Sequence, residues 1–594
     1  MPVVTISIKE LNHLMKKEYP IDSLVESLEQ LGCDVEDTVD VNLYNCPACG
    51  TPNDKLASEE AVKKCNFCGY EQESDFETIA TDTVVRIDLL ANRPDLFNVS
   101  GLSRALKGYL ELETGMPHFE TTPGNIDVIV APSVLDIRPY IVCAIAELPP
   151  LDHSTLRELM KLQENLHWGV GRDRKLASIG IYNLDTLTAP IIYKAVHPTD
   201  FKFHPLAFPN TEMTPSEILK NHPKGTAYAH LLEKFDHYPL LIDSKGLTLS
   251  MPPIINSEET KCKTGSTRFF IDVTGTGEQA VSDTLNILVC ALAEIGGKIK
   301  TVTIKFPDHT ITTPNLTPGK IDVSYKGACD WIGVDFTRDE FVQSIHKMRL
   351  AVSQQDNDKY IVEYPAYRSD LRHEVDVFED VMIGYRLDRV PMRLVPTNTV
   401  GKERPEEHLA NMVRNIMTGF NFFEIMTLNL NSEENHFTKL LLEPDETHVI
   451  VENPKTVFQK VLRTHLISGL METFEKNRKK PVPQRMFEIG AVTKINPETE
   501  VGVNEYRHLA FAIIGPNAGY AEGRAILDSA LRELGLTGKY ETGTHPSFIE
   551  GRFAKIKVSN GLEAFLGEIH PQVLNNFNLD YPIVYCELPI AKIY

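Results

Sequence analysis

Two cysteine pairs, Cys46-x-x-Cys49 and Cys65-x-x-Cys68, stand fifteen residues apart. Each is followed by a glycine, Gly50 or Gly69, and a tight knuckle of this kind turns two thiolates toward one tetrahedral ion. The set fits a closed structural Zn²⁺ site: four protein ligands leave no open position for a reacting water, and the metal's work is to fold a ribbon too short to fold alone. A second group is acidic: Asp370, Asp376, Glu379 and Asp380. Val375, Phe378, Met382 and Tyr385 predict a helix over 371–385, on which residues 376, 379 and 380 share one polar face. Oxygen ligands in that number suit Mg²⁺. The spacing taken alone favours a solvated helix face paired with Arg368 and Arg372. Ser250 lies in one hydroxyl-bearing stretch, and Asp272 and Thr274 lie in another, where strand alternation puts them on one face. A carboxylate and a hydroxyl there can hold a polar ligand group, although an ordinary strand end is the plainer account. The run Lys476, Arg478, Lys479 and Lys480 offers phosphate contacts or a solvated helix end. Gly169-Val170-Gly171 lacks the third glycine of a dinucleotide loop, and no P-loop, nucleophile elbow or HExxH pair occurs.

The elements that must position these residues read as α+β throughout. Residues 3–7 form a strand, and Leu24, Leu28 and Leu31 repeat at helical spacing before Gly32. The cysteine segment interrupts this unit, because a strand at 84–90 and an amphipathic helix through Val99, Leu102, Leu106 and Tyr109 complete it. The expected organisation is an α/β N-terminal domain (1–115) with a zinc-ribbon insertion (44–72) and a mixed α+β domain (116–290). A small helical or winged domain (305–393) and an antiparallel α+β domain (394–594) follow. Strands are expected at 126–130, 140–146, 178–182 and 269–273, and helices at 156–166 and 284–295.

Composition narrows the classes. At 594 residues the chain exceeds one hydrophobic core, and 42% apolar with 24% charged residues is ordinary globular usage. The net charge of −22 excludes a protein that coats nucleic acid through bulk charge, so any such contact uses local patches or a partner. The absence of a long apolar run or a secretory layout at the N-terminus predicts a cytoplasmic protein with no membrane association. The other six cysteines are scattered and read as buried thiols.

Several strings together resemble one family. Residues 88–96 (DLLANRPDL), 162–168 (LQENLHW), 177–182 (ASIGIY), Tyr367-Arg368-Ser369-Asp370 through Glu379-Asp380-Val381, and Leu462-Arg463-Thr464 followed by Phe487-Glu488-Ile489-Gly490 look like the phenylalanine-tRNA ligase β subunits of archaeal and eukaryotic-cytosolic type. The resemblance spans nearly the whole chain. It implies an (αβ)₂ heterotetramer with an α subunit that carries the ATP-dependent site joining phenylalanine to tRNA(Phe). It implies that 116–290 is an editing domain (B3/B4-like) hydrolysing mischarged tyrosyl-tRNA, with Ser250, Asp272 and Thr274 resembling its polar lining. It implies a B5-like domain at 305–393, with Mg²⁺ ligands at Asp370, Asp376, Glu379 and Asp380, the ion being shared with the α subunit. The last 200 residues resemble a class II synthetase fold without catalytic residues: residues 566–571 (LGEIHP) have no arginine where a catalytic copy places its ATP-binding one.

The four-cysteine ribbon is not a general feature of the family, and the oligonucleotide-binding and anticodon-binding domains of the longer bacterial form are missing. Two rival readings remain: a zinc-ribbon RNA-binding or scaffold protein without ligase activity, and a stand-alone metal-dependent hydrolase.

Overall fold

The computed structural model describes residues 3–356, 358–395 and 397–590, with the side chain of residue 355 left out. The chain divides into two units, Met1–Leu394 and Val395–Tyr594. The first begins with a four-stranded sheet in the order Val3–Ser7, Glu77–Asp88, Asp34–Asn45, Pro52–Leu56. Helices Ile8–Met15, Ile21–Gln30 and Val99–Tyr109 bury Leu11, Leu24, Leu28, Leu102 and Leu106 beside Val4, Ile6 and Ile87 of that sheet. The cysteine segment lies between Asn45 and Glu77 as an insertion within the domain, and it gives the sheet its edge strand Pro52–Leu56 between the two cysteine pairs.

A ten-stranded sheet follows. It runs Ile255–Asn256, Thr248–Met251, Tyr238–Ile242, Ile191–Val196, Thr121–Val130, Lys298–Lys305, Tyr140–Glu147, Arg268–Gly275, Ala177–Asn183, with Thr310–Thr313 paired to Lys298–Lys305. The sheet therefore continues past the expected domain end at 290, because Lys298–Lys305 inserts between Thr121–Val130 and Tyr140–Glu147. Alternation sorts Arg268–Gly275 cleanly. Phe269, Ile271 and Val273 pack on helices His153–Trp168 and Glu278–Glu294, and Phe270 turns to the opposite core with Cys143 and Tyr182. That second face is concave, for the sheet bends until Tyr182 near one end reaches Ser250 near the other.

The unit ends with a three-stranded antiparallel sheet, Gly319–Ser324, Lys359–Tyr364 and Ala351–Gln355. Helices Tyr325–Ile332, Arg338–Lys347 and Glu374–Tyr385 accompany it. The last helix starts at Glu374 and not at 371, because His373 and Asp376 cap it.

The second unit is built on a seven-stranded sheet in the order Phe423–Glu424, Gln484–Ile495, Val503–Ile514, Ile583–Pro589, Glu563–Ile569, Phe548–Val558, Gly538–Thr542. Its pairs are antiparallel except the first. Helices Pro405–Gly419 and Tyr520–Glu533 cover one face with Leu409, Val413, Met417, Leu527 and Leu531. Helix Ile467–Lys476 covers the other with Ile467, Leu470, Met471 and Phe474. Among the described residues no helix is long and apolar enough to cross a membrane.

Candidate functional site

The cysteine knuckles form as their spacing requires. The Gly50 and Gly69 N–H groups donate to the Cys46 and Cys65 carbonyls at 2.9 and 3.0 Å, and both glycines hold positive φ, 75° and 81°. The four sulfurs are buried and gather within 4.8 Å of one another, with Cys46 to Cys68 at 3.8 Å and Cys49 to Cys65 at 3.7 Å. A tetrahedron with Zn–S of about 2.3 Å has edges of about 3.8 Å, so the cage fits that ion. The Asn53 amide and the Tyr70 N–H point at the Cys65 and Cys68 sulfurs, each at 3.5 Å, which favours thiolate. Among the described residues no other set of three such ligand atoms gathers this closely.

The four carboxylates are spread over different tasks. Arg368 holds Asp370 through a bidentate pair at 2.9 and 2.7 Å, and Arg93 lies 4.0 Å from the same carboxylate. Asp376 Oδ2 accepts from the backbone N–H groups of Arg372 and His373, both at 2.8 Å, and so closes the helix start. Glu379 is exposed. Asp380 is 3% exposed, and its Oδ2 forms an ion pair with Arg368 at 2.9 Å. Burial pushes its carboxyl up to about 6, against the pull of Arg368 and Arg93. The hard oxygen donors of Asp376, Glu379 and Asp380 are of the kind a divalent cation takes, with Arg368 holding both Asp370 and Asp380 where they now stand.

The third site is a cavity of about 50 Å³ on the concave face of the large sheet. Ser250 and Asp272 line it; Thr274 does not. Asp272 is 1% exposed and stands opposite Gly180 in the strand register. The phenol of Tyr182 is hydrogen-bonded to Asp272 Oδ1 at 2.5 Å and to Ser250 Oγ at 2.7 Å. Gly180 makes this possible: a Cβ there would lie 1.9 Å from the Tyr182 oxygen and 2.4 Å from Asp272 Oδ1. Burial lifts the Asp272 carboxyl to about 7, although the Tyr182 hydrogen bond and the Arg138 charge pull it down. Thr274 instead serves Arg138, whose Nε donates to its hydroxyl at 3.0 Å while Nη2 donates to the Ser178 hydroxyl at 3.0 Å. Burial lowers this guanidinium to about 10.

Charged groups that the spacing of residue types does not reveal complete the cavity wall. His167 Nε2 accepts from the Ile179 N–H at 2.8 Å, so Nδ1 carries the proton and faces Glu164 Oε1 at 3.1 Å. Arg174 donates to Glu164 at 2.9 Å and to the Ile254 carbonyl at 2.9 Å, and its guanidinium lies 4.4 Å from the Tyr228 ring centroid. Arg174 and His167 hold the Glu164 carboxyl well below its ordinary value. The small and polar residues Ser178, Gly180 and Tyr182, alternating in an otherwise apolar strand, are the one local signal that marks this wall.

In the second unit, Lys476, Arg478, Lys479 and Lys480 are exposed at and beyond the C-terminal end of their helix. Phe423, Met426, Leu428, Val457 and Phe458 are each at least 68% exposed.

Residues 390–590 match the model of the phenylalanyl tRNA synthetase beta chain CLM domain, and residues 321–386 match that of the tRNA synthetase B5 domain. The phenylalanine-tRNA ligase β subunit of Methanosphaera stadtmanae is 35% identical over 601 aligned residues, covering 100% of each chain. That of Pyrococcus furiosus is 39% identical over 85% of this chain and 90% of its own. A crystal structure of an N-terminal fragment of the phenylalanyl-tRNA synthetase β subunit from Pyrococcus horikoshii superimposes with a TM-score of 0.56 at 34% identity, covering 65% of this chain and 99% of the fragment. The chain belongs to the phenylalanine-tRNA ligase β-subunit family.

Proposed function

We propose that the chain is the β subunit of a cytoplasmic (αβ)₂ phenylalanine-tRNA ligase, in which the α subunit uses ATP to join phenylalanine to tRNA(Phe) and this chain supplies a platform and a hydrolytic proofreading pocket. The seven-stranded sheet is the class II-like platform, and the exposed Phe423, Met426, Leu428, Val457 and Phe458 of the same unit are apolar surface an α subunit would cover. Lys476, Arg478, Lys479 and Lys480 are free to meet tRNA phosphates, which a net charge of −22 does not oppose when the patch is local.

One observation carries the proofreading reading: a buried carboxylate and a buried hydroxyl, Asp272 and Ser250, already hold a phenolic oxygen, that of Tyr182. An apolar phenylalanine pocket rejects an added hydroxyl only about a hundredfold, whereas a site built to hydrogen-bond that hydroxyl separates the two by far more. Asp272, poised near neutrality, and Ser250 therefore read the tyrosyl hydroxyl, with Thr274 holding the strand through Arg138.

Zn²⁺ held by Cys46, Cys49, Cys65 and Cys68 would lock the ribbon without taking part in chemistry. Mg²⁺ would be held by Asp380, Glu379 and the free oxygen of Asp376, with Asp370 fixing Arg368 beside them; when bound it supplies positive charge at a surface shared with the α subunit. The test is deacylation of tyrosyl-tRNA(Phe) by the assembled ligase carrying Ser250→Ala and Asp272→Asn. Charging with phenylalanine should persist while tyrosyl deacylation falls by about tenfold or more, and wild-type deacylation would remove this pocket from the account.

A further inference from the structure

The ribbon is not a remote appendage. Phe67, which sits between the ligand cysteines Cys65 and Cys68, lines the same cavity as Ser250 and Asp272 and is half-buried there. Its knuckle is pressed onto the large-sheet domain from several sides. A Cβ on Gly69 would come within 2.8 Å of the Pro223 Cβ, so only glycine allows the approach. Lys224 Nζ donates to the Asn66 carbonyl at 3.1 Å and to Glu164 Oε2 at 3.3 Å, tying the ribbon to the cavity wall through one side chain. Lys261 reaches the Ala48 carbonyl at 3.4 Å, and Ala207, Leu206 and Phe208 join the ribbon's own apolar cluster around the four cysteines.

We infer that the four-cysteine ribbon forms one wall of the aminoacyl pocket and that Phe67 is a specificity-determining residue of it, an aromatic face against which the ring of the aminoacyl group packs while Asp272 and Ser250 take its hydroxyl. The inference rests on the proofreading reading above. The cage is what makes Phe67 a wall: with both flanking cysteines fixed on one ion, the residue has no freedom to retreat, and a pocket that must exclude phenylalanine needs that rigidity. The alternative placement, a ribbon serving only to hold RNA or to steady the N-terminal sheet, gives no reason for its aromatic residue to face the carboxylate and hydroxyl of a buried cavity.

The experiment uses the assembled ligase and two substrates, tyrosyl-tRNA(Phe) and phenylalanyl-tRNA(Phe), with zinc content measured on each preparation. Phe67→Ala should keep one zinc per chain and full phenylalanine charging. It should lower the preference for hydrolysing tyrosyl over phenylalanyl by about tenfold, mostly through the KM for the tyrosyl substrate. Phe67→Leu should recover most of the preference, because an apolar wall of similar reach is restored. Chelation of the zinc from the wild-type ligase should expose four reactive thiols and reproduce the Phe67→Ala loss. If the wild-type ligase deacylates tyrosyl-tRNA with normal preference and Phe67→Ala does too, with zinc retained, the ribbon is not a wall of the pocket. If the wild type shows no deacylation, the proofreading reading itself is wrong, and the inference falls with it.

Discussion

The contact between Tyr182 and Asp272 concentrates the chemistry of the first unit in two side chains. Asp272 titrates ordinarily near 3.8 when unfolded and is lifted by burial to about 7 in the fold. The folded chain therefore binds this proton more tightly: the stabilisation is full below 3.8 and is lost as pH rises through about 7. Asp272→Asn removes that dependence, so the variant's melting temperature should gain on the wild type's between about pH 5 and about pH 8, and parallel curves would contradict the burial argument. Tyr182→Phe strands a buried carboxylate oxygen and a buried hydroxyl, at a cost of about 1–3 kcal/mol of stability, measurable by chemical denaturation. Asp272 was legible in the sequence as a polar residue on an alternating strand. The resemblance grouped Ser250 with it, but Tyr182 was not legible as the group between them, because 90 and 68 residues of chain separate the hydrogen-bonded groups and only the bend of the sheet brings them together.

At the scale of elements, the cysteine ribbon and the acidic helix differ in how much the sequence could say. A Cys-x-x-Cys knuckle is a local object, so spacing predicts the cage directly. The acidic helix is predicted as a helix, but its carboxylates diverge because Arg368 and two backbone N–H groups compete for them. This separates two effects of mutation. Asp376→Ala should cost about 1 kcal/mol from the lost cap, while Asp376→Asn keeps an acceptor for those N–H groups and most of the stability. Both should raise the Mg²⁺ needed for charging, as should Glu379→Gln, which touches nothing buried; an unchanged Mg²⁺ titration in all three would count against the metal assignment. The place of Lys298–Lys305 inside the large sheet was not legible for a different reason: it pairs in parallel with Thr121–Val130, and non-local pairing leaves no periodic trace.

At the scale of the molecule, the first unit holds a polar cavity and a four-cysteine cage, and the second unit carries exposed apolar and basic groups around its broad sheet. The family strings join across the first unit: Arg93, from the stretch at 88–96, pairs with Asp95 at 2.9 Å and reaches Asp370, which Arg368 holds. Two of the stretches that carry the resemblance thus meet in one ion-pair network. The most direct test is the native mass of the assembly formed with and without an α subunit, read together with phenylalanine charging. Two copies of each chain that charge tRNA, against no charging by this chain alone, is the predicted result. An intact α subunit that fails to associate, or a tetramer that assembles and charges nothing, would contradict it.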